Sequence, residues 1–185
     1  MKFQYNDGGR SAAGYKGDAG DCVCRAICIA TGKPYKEVYD YLANMNAGQR
    51  IAKREKKSKA RLKVKTARHG IFTTRKWFKD YMESLGFEWV PAMQIGKGCT
   101  VHLEDGEIPM TGRLVVKVSK HLTAVIDGVI HDTYNPSENR GSTIYPPGYT
   151  KEELPKGAYQ MDNGYWCYSP NRCVYGYYKL KSYTS

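Results

Sequence analysis

The dipeptide Asp127-Gly128 sits between two short apolar runs, HLTAVI (121–126) and VIHDTY (129–134). Asp-Gly in that setting is a strong signal for a two-residue type I′ turn, because both central residues of such a turn need positive φ. A two-residue turn leaves no freedom in the pairing that follows. Ile126 must face Val129, Thr123 must face Asp132, and His121 must face Tyr134. Side chains alternate with period two along a strand, so His121, Thr123, Asp132 and Tyr134 share one face, with His131 on the other. His121 and Asp132 become diagonal neighbours, close enough for a carboxylate to bond an imidazole.

The rest of the chain supplies partners for that hairpin. RLVVKVS (113–119) precedes it, FEWVPAM (87–93) lies further upstream, and RCVYGYYKL (172–180) closes the chain as a final strand. Helices come earlier. Residues 21–31, DCVCRAICIAT, are apolar on nearly every side except at Arg25, which is the pattern of a helix buried all round, with Gly32 placed to end it. A second helix follows from about Pro34, with Val38, Tyr41 and Leu42 on one face. In TTRKWFKDYMESLG (73–86), Thr73 or Thr74 is the expected N-cap and Gly86 the terminator. Trp77, Phe78, Tyr81, Met82 and Leu85 make its apolar stripe. The stretch from Pro136 to Pro170, rich in Pro, Gly and Tyr, reads as ordered loops. Helices first and an antiparallel sheet second is an α+β order, and 185 residues suit a single domain over 1–185.

The formal net charge of +11 is unevenly spread. The window 50–68 holds Arg50, Lys53, Arg54, Lys56, Lys57, Lys59, Arg61, Lys63, Lys65 and Arg68 against one acid, Glu55, and so carries +9 of the total. It reads as a basic arm on a nearly neutral domain, solvated or docking on nucleic acid or an acidic protein surface. Base-reading motifs are absent from it. No apolar run is long enough to span a bilayer and the N-terminus has no apolar leader, so a cytoplasmic protein without membrane contact is expected. In that compartment the six cysteines are expected to be free thiols.

Three of those cysteines, at 22, 24 and 28, fall inside the first helix. Cys22 stands at its N-terminal edge, where unpaired N–H groups and the helix dipole favour thiolate. A cysteine so placed, plus a histidine oriented by a carboxylate, is a constellation for nucleophilic catalysis. Cys24 and Cys28 lie deeper and read as core. A zinc site would need Cys24 and Cys28 to meet Cys99 and His102 of GKGCTVHL, and no second pair at finger or ribbon spacing supports one. Asp21, beside Cys22, opposes thiolate formation unless it serves as the helix cap.

DCVCRAI resembles the nucleophile segment of papain-like thiol enzymes, especially the Cys-x-x-Arg-Ala of ovarian-tumour-type deubiquitinases. GRLVVKVSKHLTAVIDGVIHDTYNP resembles the histidine strand, hairpin and Asp-bearing strand of the peptidase domains on bacteriocin-exporting transporters. The whole chain, including MQIGKGCTVHL and RCVYGY, is similar to small proteins encoded in bacteriophage genomes. The resemblance implies a papain-like fold, its central helix packed on an antiparallel sheet, and a Cys22–His121–Asp132 triad. Asn135, before Pro136, is the alternative third member, and Lys16 stands where such enzymes carry an oxyanion-binding Gln or Asn. A cysteine hydrolase acting on an amide, peptide or isopeptide bond of a host or phage protein is the implied function, and no cofactor or metal is implied. The alternative is a non-catalytic papain-like binding protein that uses the basic arm. Trp166 and Tyr168 are further candidates for substrate contact.

Overall fold

The computed structural model describes residues 1–48, 65–93, 96, 99–137, 143–155, 158–168 and 172–181. Helix α1 (Cys22–Thr31) forms where the sequence is apolar all round, and its residues 23–30 are buried. Gly32 ends it in the left-handed region, φ 75°, its N–H bonding back to the Cys28 carbonyl. Helix α2 (Tyr35–Gly48) follows, then α3 (Lys76–Ser84). Position 75, an arginine, takes the N-cap place of α3 rather than Thr73 or Thr74, which lie in a preceding turn closed by Arg75 N–H to the Phe72 carbonyl, 3.1 Å. Phe78, Tyr81 and Met82 of the expected stripe are buried, while Trp77 and Leu85 pack from its rim.

The strands are β1 (Lys2–Tyr5), β2 (Phe87–Pro91), β3 (Arg113–Val118), β4 (His121–Ile126), β5 (Val129–Asp132), β6 (Thr143–Tyr145), β7 (Tyr159–Gln160), β8 (Trp166–Tyr168) and β9 (Val174–Leu180). Six form one sheet in the order β1-β5-β4-β3-β9-β2. The expected hairpin register holds: Ala124 pairs with His131, Val125 with Ile130 and Ile126 with Val129. Asp127 and Gly128 take φ 46° and 75°, as a type I′ turn requires. The architecture is therefore α+β, but the sheet is mixed, not wholly antiparallel as expected. β1 runs parallel to β5, pairing Tyr5 with Asp132. Its four residues, KFQY, are all exposed, so no burial pattern in the sequence marks them as a strand. The region read as loops also contains a small second sheet, β6-β8-β7.

Both faces of the main sheet are covered, and β3 shows the alternation. Val115 joins Leu122, Ala124 and Tyr178 against the helices, where Ile27, Val38, Leu42, Phe78 and Met82 are buried. Leu114, Val116 and Val118 point the other way, to Val125, Ile130 and Val174, and are covered by Leu103 and Ile108.

The expectation of six free thiols is overturned. Cys99 and Cys173 form a disulfide, their Cα atoms 5.8 Å apart, while Cys22, Cys24, Cys28 and Cys167 are free. Backbone bonds put the two cysteines together: Leu103 N–H to the Arg172 carbonyl and Val174 N–H to the Val101 carbonyl, each 2.8 Å. A pairing made across 74 residues leaves no local spacing to read.

Candidate active site

The N-terminus of α1 stands over the end of the sheet where β4 begins and β5 stops. That geometry brings Cys22, His121 and Asp132 together. His121 Nε2 and Asp132 Oδ2 are 2.7 Å apart, both groups buried. Nε2 is thus engaged by Asp132, and His121 stands close enough to Cys22 for its charge to act on the thiol.

Electrostatics at the three groups favour a charged pair. Burial raises the Cys22 thiol, but the hydrogen bond and charge of His121, the Leu122 N–H and the Arg25 cation outweigh it, and the thiol lies below its ordinary value. Burial likewise disfavours the His121 imidazolium, yet hydrogen bonds to Asp132 and Cys22 reverse this and push its pKa up to about 9. Asp132 is itself fixed. Its Oδ1 accepts the Thr133 N–H at 2.7 Å and lies 3.9 Å from Arg25 Nη2, and its backbone carbonyl accepts the Asn6 N–H at 2.8 Å. Tyr134 packs on His121, ring centroids 5.0 Å apart. The other candidate for the third place, Asn135, turns its Oδ1 to the Ser137 N–H and hydroxyl, at 3.1 and 2.7 Å.

Asp21 takes the N-cap place of α1 without capping it. Its carboxylate is drawn instead into a buried cluster: Arg10 Nε donates to Oδ2 at 2.9 Å, Arg25 Nη1 to Oδ1, and the Tyr35 hydroxyl to Oδ2. Two guanidinium groups thus offset the charge next to Cys22. The first intrahelical bond is made by Arg25 N–H to the Asp21 carbonyl, 3.1 Å. The N–H groups ahead of it in the first turn are left uncapped by the Asp21 side chain, as donors beside Cys22 that an oxyanion could use. Lys16 is exposed, and its carbonyl accepts from Arg10 at 3.1 Å.

A cleft of about 430 Å³ opens over Cys22 and His121, walled by Gly20, Val23, His69, Ile71, Thr73, Lys117, Lys120 and Tyr134 among others. His69 and the two lysines carry no chemical signature in the sequence, and only their places in the fold bring them here. Trp166 and Tyr168 do not line this cleft; they lie on β8 of the small sheet. Of the basic arm, Arg50, Lys53, Arg54, Lys56, Lys57, Lys59, Arg61 and Lys63 lie outside the described residues. Lys65 is exposed, and Arg68 Nη2 donates to the Asp18 carbonyl at 2.8 Å, one residue before the cleft-lining His69.

The zinc combination does not assemble. Cys24 and Cys28 are buried, the Cys24 thiol donates to the Tyr35 carbonyl at 3.8 Å and is pushed up by the neighbouring Cys28 and by burial, and Cys99 is held in the disulfide. His102 instead keeps company with Glu104 and Glu107, whose ligand-type atoms lie within 4.8 Å of one another at a partly exposed position away from Cys22. Comparison with family models, with curated proteins and with solved structures yields no match to this chain.

Proposed function

We propose that the protein is a cysteine hydrolase of papain-like arrangement that cleaves an amide, peptide or isopeptide bond in a protein substrate. One observation carries the reading: the buried His121–Asp132 hydrogen bond stands beside Cys22, whose thiol the imidazole lowers, with Cys22 at the N-terminus of a buried helix and open to a cleft. Cys22 thiolate adds to the carbonyl carbon, and the oxyanion is met by first-turn N–H groups of α1. As the C–N bond breaks, His121 gives its proton to the departing amine, leaving a thioester on Cys22. Water then loses a proton to the neutral imidazole and attacks the thioester. The C–S bond breaks, the acid leaves, and the thiolate–imidazolium pair is restored. Asp132 keeps the ring oriented and its positive charge stabilised throughout.

Iodoacetamide at pH 6.5 tests the reading first. Cys22 should be carboxamidomethylated well ahead of Cys24, Cys28 and Cys167, and His121→Ala should slow that labelling while the fold is kept. A proteome-derived peptide library should then yield cleavage products that Cys22→Ala eliminates. Preferential labelling without any cleavage or acyl-enzyme would leave the non-catalytic binding protein as the better account, and uniform labelling would remove the basis for either.

A further inference from the structure

The cleft beside Cys22 continues away from the helix end. A second hollow, of about 140 Å³, is walled by Thr74, Lys79, Trp89 and Tyr178, and it shares Thr73, Lys117 and Leu122 with the first. Lys117 on β3 and Lys79 on α3 face this continuation, and Lys120 sits at the Cys22 end, in the β3–β4 turn beside His121. Neither hollow is lined by any Asp or Glu. Among the described residues none of the three lysines forms a salt bridge, although exposed lysines elsewhere on the chain do, as Lys33, Lys36 and Lys76 pair with Glu37, Asp40 and Asp80. Lys117 is only half exposed, and burial together with the charge of Lys79 pushes its pKa down. A desolvated cation beside a second cation, without a carboxylate in reach, is an unfavourable arrangement for the free protein. An anion placed between them relieves it.

We propose that this lysine-lined extension is a substrate subsite that takes an acidic side chain, so that the preferred substrate is a polypeptide with Asp or Glu close to the bond presented to Cys22. This rests on the proposed thiol chemistry at Cys22. A thiolate acylates at a carbonyl and not at a phosphodiester, so an anion that must arrive together with the reacting group belongs to a peptide rather than to a nucleic acid. The fit is electrostatic and local. It selects among substrates through charges within a few ångströms of the bound chain, and it weakens with salt.

The preference can be read without knowing the natural substrate. Iodoacetyl-Glu-amide and iodoacetyl-Gln-amide differ by one charge placed just beyond the alkylating carbon, and plain iodoacetamide reports the intrinsic reactivity of Cys22. At low ionic strength the Glu reagent should label Cys22 about fivefold faster than the Gln reagent, as expected for a favourable charge contact near 1 kcal/mol. The ratio should approach unity in 1 M salt, where screening reaches about 3 Å. Lys117→Gln should cut the ratio, and Lys117→Gln with Lys120→Gln should abolish it, each ratio being taken within one variant so that any change in the intrinsic reactivity of Cys22 cancels. Lys151→Gln, which removes a lysine that lines neither hollow, should leave the ratio intact. Equal rates for the Glu and Gln reagents at a Cys22 that iodoacetamide labels selectively would overturn the acidic subsite and leave the proposed hydrolase standing. An equal fall in ratio from Lys151→Gln would reduce the effect to net charge and overturn it too. So would protection of Cys22 by a single-stranded oligonucleotide without any preference for Glu. Failure of iodoacetamide itself to select Cys22 would instead sink the underlying hydrolase reading, and the subsite with it.

Discussion

A carboxylate adjacent in sequence to a nucleophilic thiol is a handicap unless its charge is spent elsewhere. Asp21 is 1% exposed and spends it on Arg10, Arg25 and Tyr35, and Arg25 in turn reaches toward Asp132. The positive charge nearest the site is thereby kept between two acids, where it lowers the Cys22 thiol instead of stranding it. Arg25→Met removes the central cation and leaves Asp21 partly uncompensated and Asp132 without the guanidinium beside it. Breaking a buried pair on one side costs about 3–5 kcal/mol. Denaturant unfolding should register a loss of that size, and the Cys22 labelling midpoint should move up in pH. The pH dependence of the proposed hydrolysis follows from the two shifts. The thiolate forms below the ordinary cysteine range, so activity rises on the acid side of that range. His121 is raised to about 9, so its proton, needed by the leaving amine, is lost only as pH climbs through about 9, and activity falls there. Asp132→Asn removes the carboxylate that raises His121. The alkaline limb should then retreat toward the ordinary histidine range, and turnover should fall by up to about 10⁴-fold. Asn135→Ala should leave that limb in place, because the Asn135 side-chain oxygen serves Ser137. A greater loss from Asn135→Ala than from Asp132→Asn would reassign the third position.

Two glycines show how elements are held, and for different reasons. Gly32 ends α1 at φ 75° with open space around it, so Gly32→Ala should cost only the left-handed backbone, about 1–2 kcal/mol. Gly176 in β9 is a matter of close approach. A Cβ there would lie 2.4 Å from a Trp89 ring carbon and 2.7 Å from the Val90 carbonyl oxygen, so the β2–β9 pairing would have to separate. Overpacking of this kind costs about 3 kcal/mol. Gly176→Ala should therefore lower the urea midpoint more than Gly32→Ala does, and equal losses would show that the β2–β9 edge yields easily. The contrast also marks what the sequence discloses. Gly32, the Asp127-Gly128 turn and the apolar run of α1 are local signals, and each element built from them stands where the pattern puts it. The diagonal contact of His121 with Asp132 was legible for the same reason, since a two-residue turn leaves one register. β1 was not legible, because an exposed four-residue edge strand has no periodicity and owes its place to backbone bonds with β5. Nor was the role of Arg10, which reaches Asp21 only after the N-terminal loop has folded against α1. The neutralisation of Asp21, and with it a good part of the site's electrostatics, was invisible until distant residues met.

At the scale of the whole molecule, the two faces of the sheet are covered by different elements. One face carries the helices, while His121 and Asp132 lie by strand alternation on the other, at the sheet end where the N-terminus of α1 brings Cys22 to them. The other is closed by Leu103 and Ile108, from the segment that the Cys99–Cys173 disulfide ties to the start of β9. Val174, beside Cys173, pairs with Val118, which pairs with His121, yet the imidazole is fixed by its own hydrogen bond to Asp132, so opening the disulfide should weaken the fold without retuning the site. In the chain-entropy picture a link across 74 residues contributes about 4 kcal/mol by restricting the unfolded chain. Cys99→Ser with Cys173→Ser should therefore lower the denaturant midpoint substantially, while the pH dependence of Cys22 labelling, measured in the native baseline, stays where it was. Cys22→Ala should do the reverse, removing reactivity and leaving stability nearly unchanged, since Cys22 lies at the cleft rather than in the core. A shift of the Cys22 labelling midpoint in the double serine variant, with the fold retained, would mean that the far layer sets the position of β4 and hence of His121. The disulfide would then belong to the support of the candidate site and not only to the stability of the chain.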